Sequence, residues 1–139
     1  MSDSQRFPVA AHALAYLAHK NADCAEAAVS SGELAASIAT NPVVVRRVTA
    51  MLARAGLIAT RPGASGGAWL LRPAATIGLD TVLRAVNGGA HFGAPRPGSK
   101  DCPVGERLPK AVSAAISAAD DAAARQLAHT TIADLLVVE

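Results

Sequence analysis

Arg46 and Arg47, adjacent in the chain and followed by Arg54, Arg61 and Arg72, are the side chains of this 139-residue sequence with the most evident chemistry. Between Ser30 and Pro73 these five arginines face Glu33 alone, a net charge of +4, whereas from Ala74 onward six basic residues meet seven acidic ones. A guanidinium is a planar, permanently charged fork that fits a phosphate or the O6/N7 edge of guanine. A chain of overall charge +2 that collects its positive charge in one stretch is therefore built to meet a polyanion there.

The other reactive residues are few. Cys24 and Cys102 are the two thiols, and without a signal-peptide pattern they argue against a secreted disulfide framework. No partner thiol or cluster of bases flanks Cys24, so it reads as incidental. Cys102 stands just before an expected helix, where free N–H groups and the macrodipole favour a thiolate, with Lys100 assisting and Asp101 opposing. It is a candidate sensor, or equally a small residue that packs the start of that helix. His12 and His19 lie seven residues apart on one helical face, but no third ligand falls between them. Surface or capping roles follow, and no metal site is expected. No GxSxG, P-loop or GxGxxG pattern occurs, and the GASGG run at 63–67 lacks the Lys-Ser/Thr of a phosphate loop, so an enzyme is not expected.

The elements that position the arginines can be read in order. Ser30 and Glu33 have the spacing of a capping box opening a helix through Ile38, and a turn follows at Ala39 and Thr40. Asn41 offers a second cap, and Pro42 suits the first helical position because its φ is already helical. In that second helix Val45, Val48, Thr49, Leu52 and Ala55 recur at helical spacing as the inward stripe, leaving Val43, Arg46, Arg47, Ala50 and Arg54 outward. Gly56 stops it. Leu57–Thr60 reads as a strand, the Pro-Gly and Gly-Gly pairs between Arg61 and Gly67 as a reversal, and Ala68–Leu71 as the returning strand, ended by Pro73.

Helix, turn, helix and glycine-tipped hairpin make a winged helix-turn-helix, whose second helix is sized for the major groove. The fold class is mostly α with a two-stranded β-wing. Arg46 and Arg47 are expected at phosphates or guanine edges, Val43 and Val44 near thymine methyls, and Asn41, Arg61 and Ser65 on the DNA backbone. The partner is then double-stranded DNA. A winged helix used for protein docking is the alternative, but such a module would more often expose an apolar patch where these arginines stand.

Around this head, Arg6–Lys20 carries Val9, Ala13, Leu14, Leu17 and Ala18 at helical spacing and should pack behind it, followed by a loop from Asn21 to Val29. Thr76–Val86 reads as a short helix with Ile77, Val82, Leu83 and Val86 inward, and residues 88–100, rich in Gly and Pro, as a flexible linker. A long helix from Pro103 to His129 draws one apolar line through Val104, Leu108, Val112, Ile116, Ala119, Ala123 and Leu127, with Pro109 in its second turn. So small a body cannot cover that line, which predicts pairing with a twin in a homodimer and hence an inverted-repeat operator. A terminal helix from Thr131 to Val138 is apolar enough to fold back. The division is a DNA-binding domain over 1–75 and a dimerisation region over 76–139. A composition that is 51% hydrophobic but only 3% aromatic leaves small side chains to do the packing, which suits closely approaching helices. No apolar run approaches the roughly 20 residues that span a bilayer, and a cytoplasmic location is expected.

The runs NPVVVRR, ARAGLI, GASGGAWLL, TIGLDTVLRAV, CPVG and TTIADLL together resemble bacterial winged-helix regulators of the Rrf-two type. That family includes the iron–sulfur cluster regulator, the nitric-oxide-sensing repressor and the cysteine-metabolism repressor. The resemblance covers nearly the whole chain and implies a homodimeric transcription factor, usually a repressor, with the long helix crossing between subunits. Cluster-bearing members carry three cysteines between the short and long helices, and this sequence has only Cys102 there. A cluster takes four ligands, mostly thiolates, so no cofactor is expected and the chain resembles the cluster-free members that carry CPVG.

Overall fold

The computed structural model describes residues 5–87 and 92–137. Its centre is α1 (Arg6–His19), which buries Ala10, Ala13, Leu14 and Leu17. Two of those four are alanines, so neighbouring helices come close on several sides at once. α1 contacts α2 (Ser31–Ile38), α3 (Pro42–Arg54), α4 (Leu79–Asn87) and α6 (Ile132–Leu135). Two polar links join α1 to α2. His12 Nε2 lies 2.9 Å from Ser37 Oγ, and the Tyr16 hydroxyl donates to Glu33 Oε2 at 2.7 Å. That hydrogen bond holds the Tyr16 phenol above its ordinary pKa, with desolvation and the carboxylate's charge adding to it.

Glu33 therefore does not complete the expected capping box. Ser30 Oγ accepts from the Glu33 N–H at 3.1 Å, but the carboxylate turns to Tyr16 and to Lys20 Nζ at 3.6 Å. The full reciprocal box forms instead at Thr131 and Asp134, opening α6. Ala39 closes α2 in the left-handed region at φ 63° and directs the chain into α3. This is the turn between the two helices, made by a residue whose Cβ resists that conformation.

α3 buries Val45, Val48, Thr49 and Leu52, while Ala55, expected in the same stripe, is exposed beyond the helix end. Gly56 supplies the positive φ that lets Leu57 turn inward. The wing strands are β1 (Ile58–Arg61) and β2 (Gly67–Leu70), one residue away from the expected bounds and paired antiparallel with Ile58 opposite Leu70 and Arg61 opposite Gly67. On its other edge β2 meets the segment before α2. Val29 N–H donates to Ala68 O at 2.9 Å and Ala68 N–H to Val29 O at 2.8 Å, so the wing is stitched to the start of the helix-turn-helix.

A short 3-10 turn over Ala74–Thr76 leads to α4, which begins at Leu79 rather than Thr76. α4 buries Leu79, Val82, Leu83 and Val86, and together with Ile77 and Ile132 most of these residues join one core with Leu14, Leu34 and Leu52. The core thus crosses residue 75, and α4 packs on α1 and α3 as part of the same body. The expected stop at 88–89 and the first part of the linker lie outside the described residues, and 92–100 carries no helix or strand.

α5 (Pro103–Leu127) runs for 25 residues and passes through Pro109. Proline there removes the hydrogen bond that Gly105 O would have accepted. The backbone of Gly98, at φ 73°, packs against that carbonyl so closely that a side chain would collide with it. At its other end α5 is tied to α4. Leu79 N–H donates to Thr130 O and Ile132 N–H to Ile77 O, both at 2.9 Å. α6 is four residues long, shorter than the expected Thr131–Val138, and lies against α1. No helix of the described residues is long and apolar enough to cross a membrane.

Gly67 tests the stitching of the wing. Its φ is +146° and an added Cβ would strike Val29 O and stand 2.9 Å from Ser30 N. Gly67→Ala is expected to lower stability by about 1–3 kcal/mol in chemical denaturation. A neutral result would show that the wing edge yields.

Candidate nucleic-acid interface

α3 owes its position to its caps and its stripe. Asn41 Oδ1 accepts the Val44 N–H at 3.1 Å, and Pro42 occupies the first turn. With Val45, Val48 and Leu52 fully buried, Val43, Arg46, Arg47, Ala50 and Arg54 are held outward as exposed residues. Val43 is 49% exposed, large for an apolar side chain. Val44, expected beside it, is only partly exposed, because its position turns it toward the flank of the helix.

Between α3 and the wing lies an open cleft of about 500 Å³. Arg46 and Thr49 line one wall, Thr60, Arg61 and Pro62 the other, and Ser30 lies at the base. Arg61 Nη2 donates to Ser65 O at 3.4 Å, so the two wing residues expected on the backbone sit together across the reversal. Among the described residues neither Arg46, Arg47 nor Arg61 makes a salt bridge with a carboxylate, which leaves their charge facing solvent. The guanidiniums of Arg46 and Arg61 with the hydroxyls of Ser30 and Thr60 could meet a phosphodiester at this cleft, whose remaining lining includes Val29, Leu34 and Ala68.

The structure brings Arg46 and Arg61 to one cleft, holds Ser65 to Arg61 at the wing reversal beside it, places Val43 and Arg47 on the adjacent ridge, and puts Asn41 at the helix mouth, its oxygen already used as a cap. Ser30 and Thr60 at the cleft were missed in the sequence. The wing folds back over α2's start through the Val29–Ala68 pairing, a contact with no local signal. Cys102 is far along the chain from this surface. It is the N-cap of α5, exposed, with Sγ accepting the Gly105 N–H at 3.5 Å.

A winged helix with a cationic reading helix defines a DNA-binding regulator. Residues 3–137 match the model of the Rrf2 family, described as iron-dependent transcriptional regulators, and the chain belongs to that family. YwnA of Bacillus subtilis (strain 168), named as an HTH-type transcriptional regulator, is 32% identical over 108 residues, covering 77% of this chain and 80% of YwnA. A crystal structure titled as a DNA-binding protein is 31% identical, with a TM-score of 0.71 over 94% of this chain and 98% of its own. A transcriptional regulator from Lactobacillus plantarum is 25% identical, with a TM-score of 0.74 over 95% of this chain and 87% of its own.

The family description names iron, and the donor set does not fit it. Cys102 is the one thiol between α4 and α5, Cys24 lies near the end of α1, and both are exposed. Among the described residues no three His, Cys, Asp or Glu side chains gather as metal ligands. The two thiols of the chain are fewer than the four of an all-cysteine cluster.

Asn41 carries a stability prediction separate from any DNA contact. Asn41→Ala removes the α3 cap and is expected to cost about 1 kcal/mol in chemical denaturation, whereas Asn41→Asp, which keeps an acceptor, should hold the unfolding free energy within about 0.5 kcal/mol of the parent. Equal losses for both variants would place the asparagine's role elsewhere.

Proposed function

We propose that this regulator is a homodimeric repressor, without enzymatic activity and without an iron–sulfur cluster, that binds an inverted-repeat operator in the cytoplasm. The observation that carries the dimer is α5, in which none of the 25 residues is buried and Val104, Leu108 and Val112 are 59%, 53% and 38% exposed. Exposed at i, i+4 and i+8, they form an apolar stripe that a second copy of the same helix would cover. A two-fold pair would set two α3 ridges on one side of the duplex, spaced by one or more helical turns of about 34 Å.

Sedimentation of the wild type should give twice the 14.0 kDa chain mass, and Leu108→Glu should give a monomer. Losing the second head should reduce operator affinity by about 100-fold or more. A Leu108→Glu protein that remains dimeric would place the interface elsewhere.

Cys102 is where a thiol-reactive signal would act on this dimer. Serine at 102 preserves an N-cap oxygen for Gly105 N–H and removes the thiol, so Cys102→Ser separates chemistry from capping. Peroxide or an electrophile should release operator DNA from the wild type and leave the Cys102→Ser complex intact in a mobility-shift assay. Equal release of both would move the reactive group to another residue such as the exposed Cys24, and release of neither would leave the signal to a small-molecule ligand.

A further inference from the structure

We infer that the two adjacent arginines have divided tasks: Arg46 with Arg61 grips a backbone phosphate in the α3–wing cleft, while Arg47 reads guanine between thymine methyls contacted by Val43 and Ala50. The inference rests on the DNA-binding reading above and names the base-reading residues of that same surface.

Helical geometry separates the pair. At 100° per residue, the buried Val45, Val48, Thr49 and Leu52 define an inward direction, and the opposite direction lies within about 30° of Val43, Arg47, Ala50 and Arg54. Arg46 stands about 70° away from it, toward the wing. The cleft separates the two arginines, since Arg46 lines it beside Arg61 and Pro62 and Arg47 does not, while Ala50, on the wing side of the crest, borders it as well. Held to the side by its helix position, Arg46 meets the strand that runs between helix and wing. Arg47, on the crest, points at the groove floor.

The crest also limits which bases can be read. Adenine's N6/N7 edge is met by Asn or Gln and cytosine's N4 by a carboxylate. From Pro42 to Arg54 there is no Asn, Gln, Asp or Glu, and Asn41 has its side-chain oxygen on Val44 N–H. What remains is a guanidinium for guanine and small apolar groups for the thymine methyl. Val43 to Ala50 spans about 10 Å, or about three base pairs. Each half-site should therefore centre on one G·C pair with A·T pairs on both sides, read through the thymine methyls.

The test is selection of bound sequences from a random duplex pool by the full-length wild type, Arg46→Ala and Arg47→Ala. The wild type should enrich a motif with one invariant G·C pair per half-site. Arg46→Ala should keep that motif and lower the slope of log affinity against log salt by about 0.9 per lost phosphate contact. Arg47→Ala should lose the guanine preference and bind the selected site about 5- to 150-fold more weakly. On that site, 7-deazaguanine should weaken the wild type and leave Arg47→Ala unaffected, and deoxyuridine for the flanking thymines should cost the wild type about fourfold. An invariant guanine that survives Arg47→Ala, or one lost in Arg46→Ala, would overturn the division of tasks. Deoxyuridine without effect would remove the methyl contacts. A wild type that enriches no sequence would instead sink the DNA-binding reading, and this inference with it.

Discussion

A helix that buries four side chains in thirteen residues has no freedom to rotate about its axis, and α3 is such a helix. Val45, Val48, Thr49 and Leu52 pack toward α1 and α4, and turning the helix by even one residue would trade a valine for an arginine in the core. The outward ridge, the lateral position of Arg46 and the wall of the cleft all follow from that one burial. Ser30 and Asn41 fix where α2 and α3 begin, and the Val29–Ala68 pairing sets the wing against them. Each is worth little alone. Together they bring arginines from two elements, fifteen residues apart, to one cleft.

Much of this was legible because it is written in local spacing. The stripe of α3, the Asn41-Pro42 start, the Gly56 stop and the Pro-Gly, Gly-Gly reversal all act over a few residues, and the structure places them within a residue or two of expectation. The misses share a cause. Glu33 was assigned to its own cap, but Tyr16, seventeen residues away in the chain, competes for its carboxylate. The turn expected at Ala39 is present, but Ala39 makes it in the left-handed region, where glycine is favoured. Ser30 and Thr60 reach the cleft only once the wing has folded back, and folding back depends on a backbone pairing that no side chain announces. The core also continues past residue 75, through Ile77, Val82 and Ile132.

The contrast between the two halves of the molecule is physical as well as functional. The head buries its apolar residues within one chain, whereas α5 buries none, although its line of Val104, Leu108 and Val112 is as periodic as any in the sequence. Periodicity thus predicts a face and says nothing of what meets it. Alanine is the commonest residue of α5, at eight of its 25 positions, a composition that maintains the helix with little side-chain entropy to lose.

The two backbone hydrogen bonds that hold Thr130 and Ile132 to the start of α4 give the long helix a fulcrum. From that fulcrum the 25 residues of α5 extend about 37 Å to Cys102 at the far tip. A lever of that length converts a tilt of about 5° at the pinned end into about 3 Å at the tip, and the converse holds for a displacement applied there. Gly98 and Pro109 brace the tip end of the arm, where Gly98 presses on the carbonyl that Pro109 leaves unbonded. The arm is thus tied by backbone hydrogen bonds where it meets the reading head and braced near its tip, and Cys102 stands at the end farthest from the head, where a displacement has the longest lever.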